Sequence, residues 1–148
     1  MNIVLFGPPG AGKGTQSKYL VKKLNAFQIS TGDILREEMK KKSEIGKAIT
    51  NDMSDGKFIS DDIVNNLIEN LIYDKQKKGK FIFDGYPRSL SQAKNLDFLL
   101  NNSNQKIDFI FFLDVKKETI IKRIEKRKIL EKRADDNIST ILKRYDTY

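Results

Sequence analysis

Ten residues near the N-terminus, Gly7-Pro8-Pro9-Gly10-Ala11-Gly12-Lys13-Gly14-Thr15-Gln16, combine glycines, a lysine and a hydroxyl at spacings that suit phosphate binding. Glycines let successive backbone N–H groups point into one concavity, and a helix starting behind them adds the partial positive charge of its N-terminus. Lys13 then supplies a mobile ammonium for the β- and γ-phosphates of a nucleoside triphosphate. One position departs from the general pattern: Gly14 fills the usual Ser/Thr slot and Thr15 follows it. A magnesium ion would therefore be met either by Thr15 or mainly through water. The flanks agree with this chemistry. The apolar run 2–6 predicts a buried strand, and 17–24 carries apolar residues at helical spacing. A strand, a glycine-rich turn and a helix form the setting in which such a loop binds phosphate.

The elements that must position this loop follow from hydrophobic patterning. Runs 3–6, 80–84 and 107–115 are nearly continuously apolar, with a weaker run at 27–29. Continuity rather than alternation predicts strands covered on both faces, as in a parallel sheet. Helical spacing predicts helices over 12–24, 33–41, 44–52, 61–77, 89–100 and 118–127, and a last one from 135 onward. Strands alternating with helices predict an α/β fold, a doubly wound parallel sheet with helices on both faces. Ligands of such sheets sit beyond the carboxyl ends of the strands. There the polar signals collect: the loop after Phe6, Thr31-Gly32-Asp33, Asp84-Gly85 and Asp114.

Composition narrows the chemistry. A chain of 148 residues with 39% hydrophobic and 32% charged residues fits a single domain, 1–148. No apolar run reaches membrane-spanning length, which predicts a cytoplasmic protein without membrane contact. Zero cysteines and zero histidines leave Lys, Arg, Asp, Thr and backbone amides, with a bound metal ion, to carry any reaction. Phosphoryl transfer is suited to that set, because positioning and charge neutralisation supply most of its catalysis. The net charge of +8 raises nucleic acid as a partner. Beyond Asp114, eleven Lys/Arg stand against six Asp/Glu, and much of the remaining lysine excess lies at predicted helix ends. No aromatic ladder interleaves with these cations, so a solvated basic surface is favoured over an RNA-binding face.

Three segments then coincide in order. The 7–16 loop, Ile29-Ser30-Thr31-Gly32-Asp33-Ile34-Leu35-Arg36, and Phe83-Asp84-Gly85-Tyr86-Pro87-Arg88 together resemble the adenylate kinases, short-lid members of the P-loop nucleoside monophosphate kinases. The resemblance implies Mg·ATP as phosphoryl donor, AMP as acceptor and ADP as product. It places ATP against Gly10, Ala11, Gly12, Lys13, Gly14, Thr15, Arg123 and Arg127. It places AMP against Thr31, Gly32, Arg36, Gly85, Arg88, Gln92, Arg133 and Arg144, with the backbone near Lys57 and Ile59 lining the nucleoside. Thr31 would contact the adenine and Arg36 the phosphate. The related UMP/CMP kinases typically carry Ala where this chain has Thr31, which favours AMP.

Other residues have a plain reading beside the implied one. Ser89-x-x-Gln92 is a capping box, so Gln92 is a helix cap or, by resemblance, the partner of the adenine edge. Ser30 or Thr31 would cap the helix that follows. Asp84 ends a buried strand and needs a cation, either a lysine or a water-shelled magnesium ion. Arg123 and Arg127, four apart, share a helix face that Glu125 and Glu131 could neutralise. The resemblance instead puts Arg123, Arg133 and Arg144 with Lys13 and Arg88 around the transferring phosphoryl group. The phosphate acceptor is already ionised, so no general base is required, and arginine grips phosphate oxygens with a fork that keeps its charge.

Two departures from the family are visible. Only residues 128–132 separate Arg127 from Arg133, which implies a small flap at about 127–134 with no zinc, beside an AMP-binding lobe at about 30–60. Family members continue past the position of Tyr148 with a last strand, an adenine-packing loop and a closing helix, so an open sheet edge is expected here. The alternatives are a UMP/CMP kinase, a nucleotide-binding fragment without turnover and, third, an RNA-binding protein. A monomer is expected.

Overall fold

The structure, a computed structural model, describes residues 1–41, 43–54, 59–74, 79–131 and 138–148. Four strands and seven helices alternate along them: β1 (Asn2–Phe6), α1 (Lys13–Leu24), β2 (Phe27–Ser30), α2 (Thr31–Lys40), α3 (Glu44–Ser54), α4 (Asp61–Ile72), β3 (Phe81–Asp84), α5 (Leu90–Asn102), β4 (Ile107–Phe112), α6 (Lys117–Glu131) and α7 (Ile138–Thr147). The strands form one parallel sheet in the order β2-β3-β1-β4. Register places Leu5 beside Asp84 and Ser30 beside Asp84, so the carboxyl ends of β1, β2 and β3 finish level. The loops that leave them therefore open on one side of the sheet.

Burial explains why the apolar runs became strands. Ile29, Phe81 and Phe83 are fully enclosed, and Val4 joins them in a core shared with Leu35, Ile68, Tyr86, Leu96 and Leu99. Ile3, Leu5 and Ile82 point to the other face, where Leu20, Val21 and Leu24 of α1 cover them. Each such side chain contributes about 1.5–3 kcal/mol by leaving water. Asn2 pins the register at the start of β1: its Nδ2 donates to Gln105 Oε1 and the Lys106 carbonyl, and its Oδ1 accepts from Phe81 N.

Strand β4 departs from expectation. Its continuous apolarity predicts cover on both faces, yet Phe109, Ile110, Phe111 and Phe112 are between 49% and 62% exposed. The strand pairs with β1 on one side and stands at the sheet edge among the described residues. Periodicity reports that a strand is apolar; it does not report which side of the sheet is filled. The helix expected over 61–77 ends at Ile72, with Tyr73 as its C-cap, and 75–78 lie outside the described residues. No helix among the described residues is long and apolar enough to cross a membrane.

Within α1, Ser17 is fully buried and its hydroxyl has no hydrogen-bond partner among the described residues. A buried hydroxyl left unpaired costs about 1–3 kcal/mol. Ser17→Ala is therefore expected to raise the unfolding free energy by about 1 kcal/mol, read as a higher midpoint in urea; a lower midpoint would mean that the hydroxyl is satisfied.

Candidate active site

The ligand-side loops enclose a cleft of about 640 Å³. Its lining contains Gly10, Ala11, Gly12, Lys13, Gly14, Thr15, Thr31, Gly32, Arg36, Ile59, Asp84, Gly85, Arg88, Gln92, Arg123, Arg127 and Arg144. Residues from six separate stretches of sequence thus meet in one space. Lys57 and Arg133, two further expected site residues, lie outside the described residues, as do 132–134 of the expected flap and 55–58 of the expected lobe.

The phosphate loop runs from β1 into α1. Gly12 stands at the N-cap with φ 101°, so the cap residue offers no side-chain oxygen to the first-turn N–H groups of α1. Gly10 holds φ +82°, and a Cβ there would lie 2.9 Å from Ile120 Cγ2 and 3.1 Å from Ile124 Cδ1. The loop is thus pressed against α6 at a position only glycine can occupy. Arg123 Nη1 donates to the Ala11 carbonyl at 2.9 Å, tying α6 to the same loop. From the far end of α7, Tyr148 Oη accepts the Gly7 N–H at 2.6 Å.

Lys13 folds back over the loop and donates to the carbonyls of Gly7 (2.6 Å) and Pro8 (3.1 Å). Burial lowers its pKa from 10.5 to about 8; Asp84 opposes the shift, while Arg88 and Arg127 add to it. An entering polyphosphate would restore the ammonium. At pH 8, nucleotide binding is therefore expected to take up about half a proton at this site. Calorimetry in buffers of differing ionisation enthalpy reads that uptake, and net proton release would contradict it.

Asp84 closes β3 beside this lysine. Burial holds its carboxyl above the usual range, the Lys13 ammonium opposes that shift, and Asp33 reinforces it. Gln28 Nε2 reaches it only at 3.4 Å, and a Cβ on Gly14 would lie 3.5 Å from Asp84 Oδ2. A carboxylate whose pKa is raised by desolvation, in the same cleft lining as Thr15, fits a hard divalent cation that keeps much of its water. Among the described residues there is no cluster of three or more His, Cys, Asp or Glu that could cage a metal directly.

The second half of the cleft is built around one oxygen. The Gly85 carbonyl accepts from Thr31 Oγ1 at 2.8 Å and from Arg88 Nε at 2.7 Å. Gly85 has φ +77°, and a Cβ would meet Arg88 Nη2 at 2.8 Å and Thr31 Oγ1 at 3.0 Å. A side chain here would displace both groups. The cis Tyr86–Pro87 bond follows, and the chain then enters α5. Arg88 stands in the cleft, and desolvation by the surrounding protein, followed by repulsion from the nearby Arg144, lowers its pKa. Arg36 is held by Asp33, Nη2 to Oδ1, at 2.5 Å.

Capping resolves as follows. Ser30 Oγ accepts from Asp33 N at 3.4 Å, so Ser30, not Thr31, caps α2. Ser89 Oγ accepts from Gln92 N at 3.1 Å, the expected half of a capping box. The Gln92 side chain, however, passes the cap: its Oε1 accepts from Arg88 N and its Nε2 donates to Asp61. The sequence assigns Asp61 and Tyr148 no role, and marks Asp33 only as part of the polar turn after β2. The three-residue spacing of Asp33 and Arg36 was a usable signal. Nothing local marks Asp61 or Tyr148, whose partners are 31 and 141 residues away.

Electrically the cleft is one-sided, with eight Lys/Arg against Asp33 and Asp84 in its lining. Such a site attracts anions.

Comparison with known proteins agrees with this geometry. A family model described as adenylate kinase matches residues 5–148. An adenylate kinase of Pelagibacter ubique is 45% identical over 174 aligned positions, covering all of this chain and 82% of that protein. One from Parabacteroides distasonis is 39% identical over the whole chain and 78% of its own length. One from Mycoplasma mycoides is 46% identical over 127 residues, 86% of this chain and 59% of its own length.

Proposed function

The chain belongs to the adenylate kinase family, and we propose that its cleft transfers the terminal phosphoryl group of Mg·ATP to AMP, giving two ADP. One observation carries this reading. A P-loop lysine and a separate arginine pair, Arg36 and Arg88, line the same cleft, with Thr31 and Gln92 beside the latter. A nucleotide hydrolase needs only the first group; an acceptor phosphate requires the second.

In this reading Gly10 to Thr15 cradle the ATP phosphates through backbone N–H groups, and Lys13 leaves the Gly7 and Pro8 carbonyls for the β/γ oxygens. Arg127 and Arg123 hold the triphosphate. Arg36 and Arg88 grip the AMP phosphate, while Thr31, Gly32, Gly85, Gln92 and the backbone at Lys57 and Ile59 surround its nucleoside. Arg88, Arg123, Arg133 and Arg144 neutralise charge on the phosphoryl group in flight. Thr15 and Asp84 would hold a magnesium ion through its water shell, and when bound it would supply neutralisation of the donor phosphates' charge. Closure of the 30–60 lobe and the 127–134 flap would exclude water, so that ATP is not hydrolysed. A cytoplasmic monomer, acting without nucleic acid or membrane, completes the reading.

The test is ADP formation by these 148 residues from Mg·ATP with AMP, CMP or UMP as acceptor. Turnover with AMP alone supports the reading. Preference for UMP or CMP would reassign the acceptor, and tight nucleotide binding without turnover would make the chain a binding module.

A further inference from the structure

The amide of Gln92 is gripped from two sides. It is 5% exposed, its Oε1 accepts the Arg88 backbone N–H at 2.7 Å, and its Nε2 donates to Asp61 Oδ1 at 2.6 Å. A backbone N–H can only donate and an ionised carboxylate can only accept. Turning the amide over would therefore break both bonds and oppose like groups. Asp61 is itself held: its Oδ2 accepts from Ser89 Oγ at 2.7 Å, and Ser89 also caps α5. One turn further along α4, Tyr86 Oη donates to Asn65 Oδ1 at 2.8 Å and accepts from Asn95 Nδ2 at 3.2 Å. The starts of α4 and α5 are thus locked in one polar ladder.

We propose that Asp61 is a positioning residue that sets the orientation of the Gln92 amide and through it the choice of acceptor base. This rests on the reading that Gln92 faces the base of the monophosphate. A primary amide offers two lone pairs and two N–H groups; the bonds to Arg88 N and Asp61 use one of each. One acceptor and one donor remain. Adenine presents an N6 amino donor beside the N1 acceptor, which that remainder satisfies. Guanine presents the O6 acceptor beside an N1–H donor, the reverse order, which an amide locked in this orientation opposes. Asp61 does not line the cleft, so it reaches the base only through Gln92. Its energetic weight comes from making the wrong amide orientation inaccessible, since a group left facing its own kind in a buried site loses its hydrogen bond.

The experiment is calorimetric titration of AMP and of GMP into the full chain and its variants. Asp61→Ala is expected to lower the AMP-over-GMP affinity ratio about tenfold, equivalent to ~1.4 kcal/mol. Asp61→Asn keeps an acceptor for Gln92 and can donate to Ser89 Oγ, so it should recover most of the ratio. In a Gln92→Ala background, Asp61→Ala should lower the ratio no further. If Asp61→Ala weakens both monophosphates equally while Gln92→Ala lowers the ratio, Asp61 is structural only and the proposal falls. It also falls if the two effects add in the double variant. A Gln92→Ala protein with its AMP preference intact would instead remove the reading of the acceptor pocket beneath it. Asp61→Leu, nearer in volume, is assayed in the same way should the alanine variant not fold.

Discussion

Lys13→Met is expected to lower phosphoryl transfer by about a thousandfold, ~4 kcal/mol of transition-state stabilisation, without unfolding the chain. The lysine is the loop's only long cation, and its present partners are two carbonyls that polyphosphate oxygens replace. The same variant has a second signature in stability. The folded-state pKa is about 8 against 10.5 for the free side chain. A cation with a depressed folded pKa destabilises the fold fully below that pKa, and the penalty disappears as pH rises to the unfolded value. Between pH 8 and 10.5 the parent chain should therefore gain up to about 3 kcal/mol relative to Lys13→Met. Urea unfolding at both ends of that window measures the difference. Parallel pH profiles for the two proteins would show that Lys13 is solvated, and normal turnover would remove it from the mechanism.

Arg88→Ala is expected to reduce kcat/KM for AMP by about a thousandfold while changing the ATP dissociation constant by less than about threefold. The side chain is aimed by its Nε bond to the Gly85 carbonyl, leaving the rest of its fork for the cleft. Arg88→Lys should not restore activity, because an ammonium cannot make that bond and grip a phosphate edge together. Single-turnover rates at saturating ATP with varied AMP separate the two sites. Equal losses of ATP and AMP affinity would mean that Arg88 supports the cleft as a whole rather than the acceptor.

Much of this site was legible as residue types at fixed spacing. The glycine-rich loop is legible because backbone approach and phosphate charge suit those residues at that spacing, and Gly85 because the chain leaves the strand sharply there. The roles expected of Thr31 and Arg88 come from the family resemblance. The strands were legible because β1, β2 and β3 are filled on both faces. β4 carries the same signal and is exposed, since a strand's neighbours are set by topology and not by its own residues. The partners of the site residues were the least legible part. Asp61 looks like an ordinary acid in a helix's first turn, where it complements the dipole. Its bond to Gln92 exists only once α4 and α5 lie side by side. Gln92 reads as the third residue of a capping box; its backbone N–H is indeed capped by Ser89 Oγ, but its amide bonds Arg88 N and Asp61.

The Gly85 carbonyl has a consequence for how this site can change. Thr31, implied in reading the base, and Arg88, implied in holding the phosphate, take their positions from the same oxygen. A substitution that moves that peptide shifts both ends of the acceptor together, in a fixed geometric relation. Base preference and phosphate placement therefore share a common mode of variation. A lineage seeking a new acceptor would have to alter Thr31 or Gln92 individually and keep residues 84–88 as they stand.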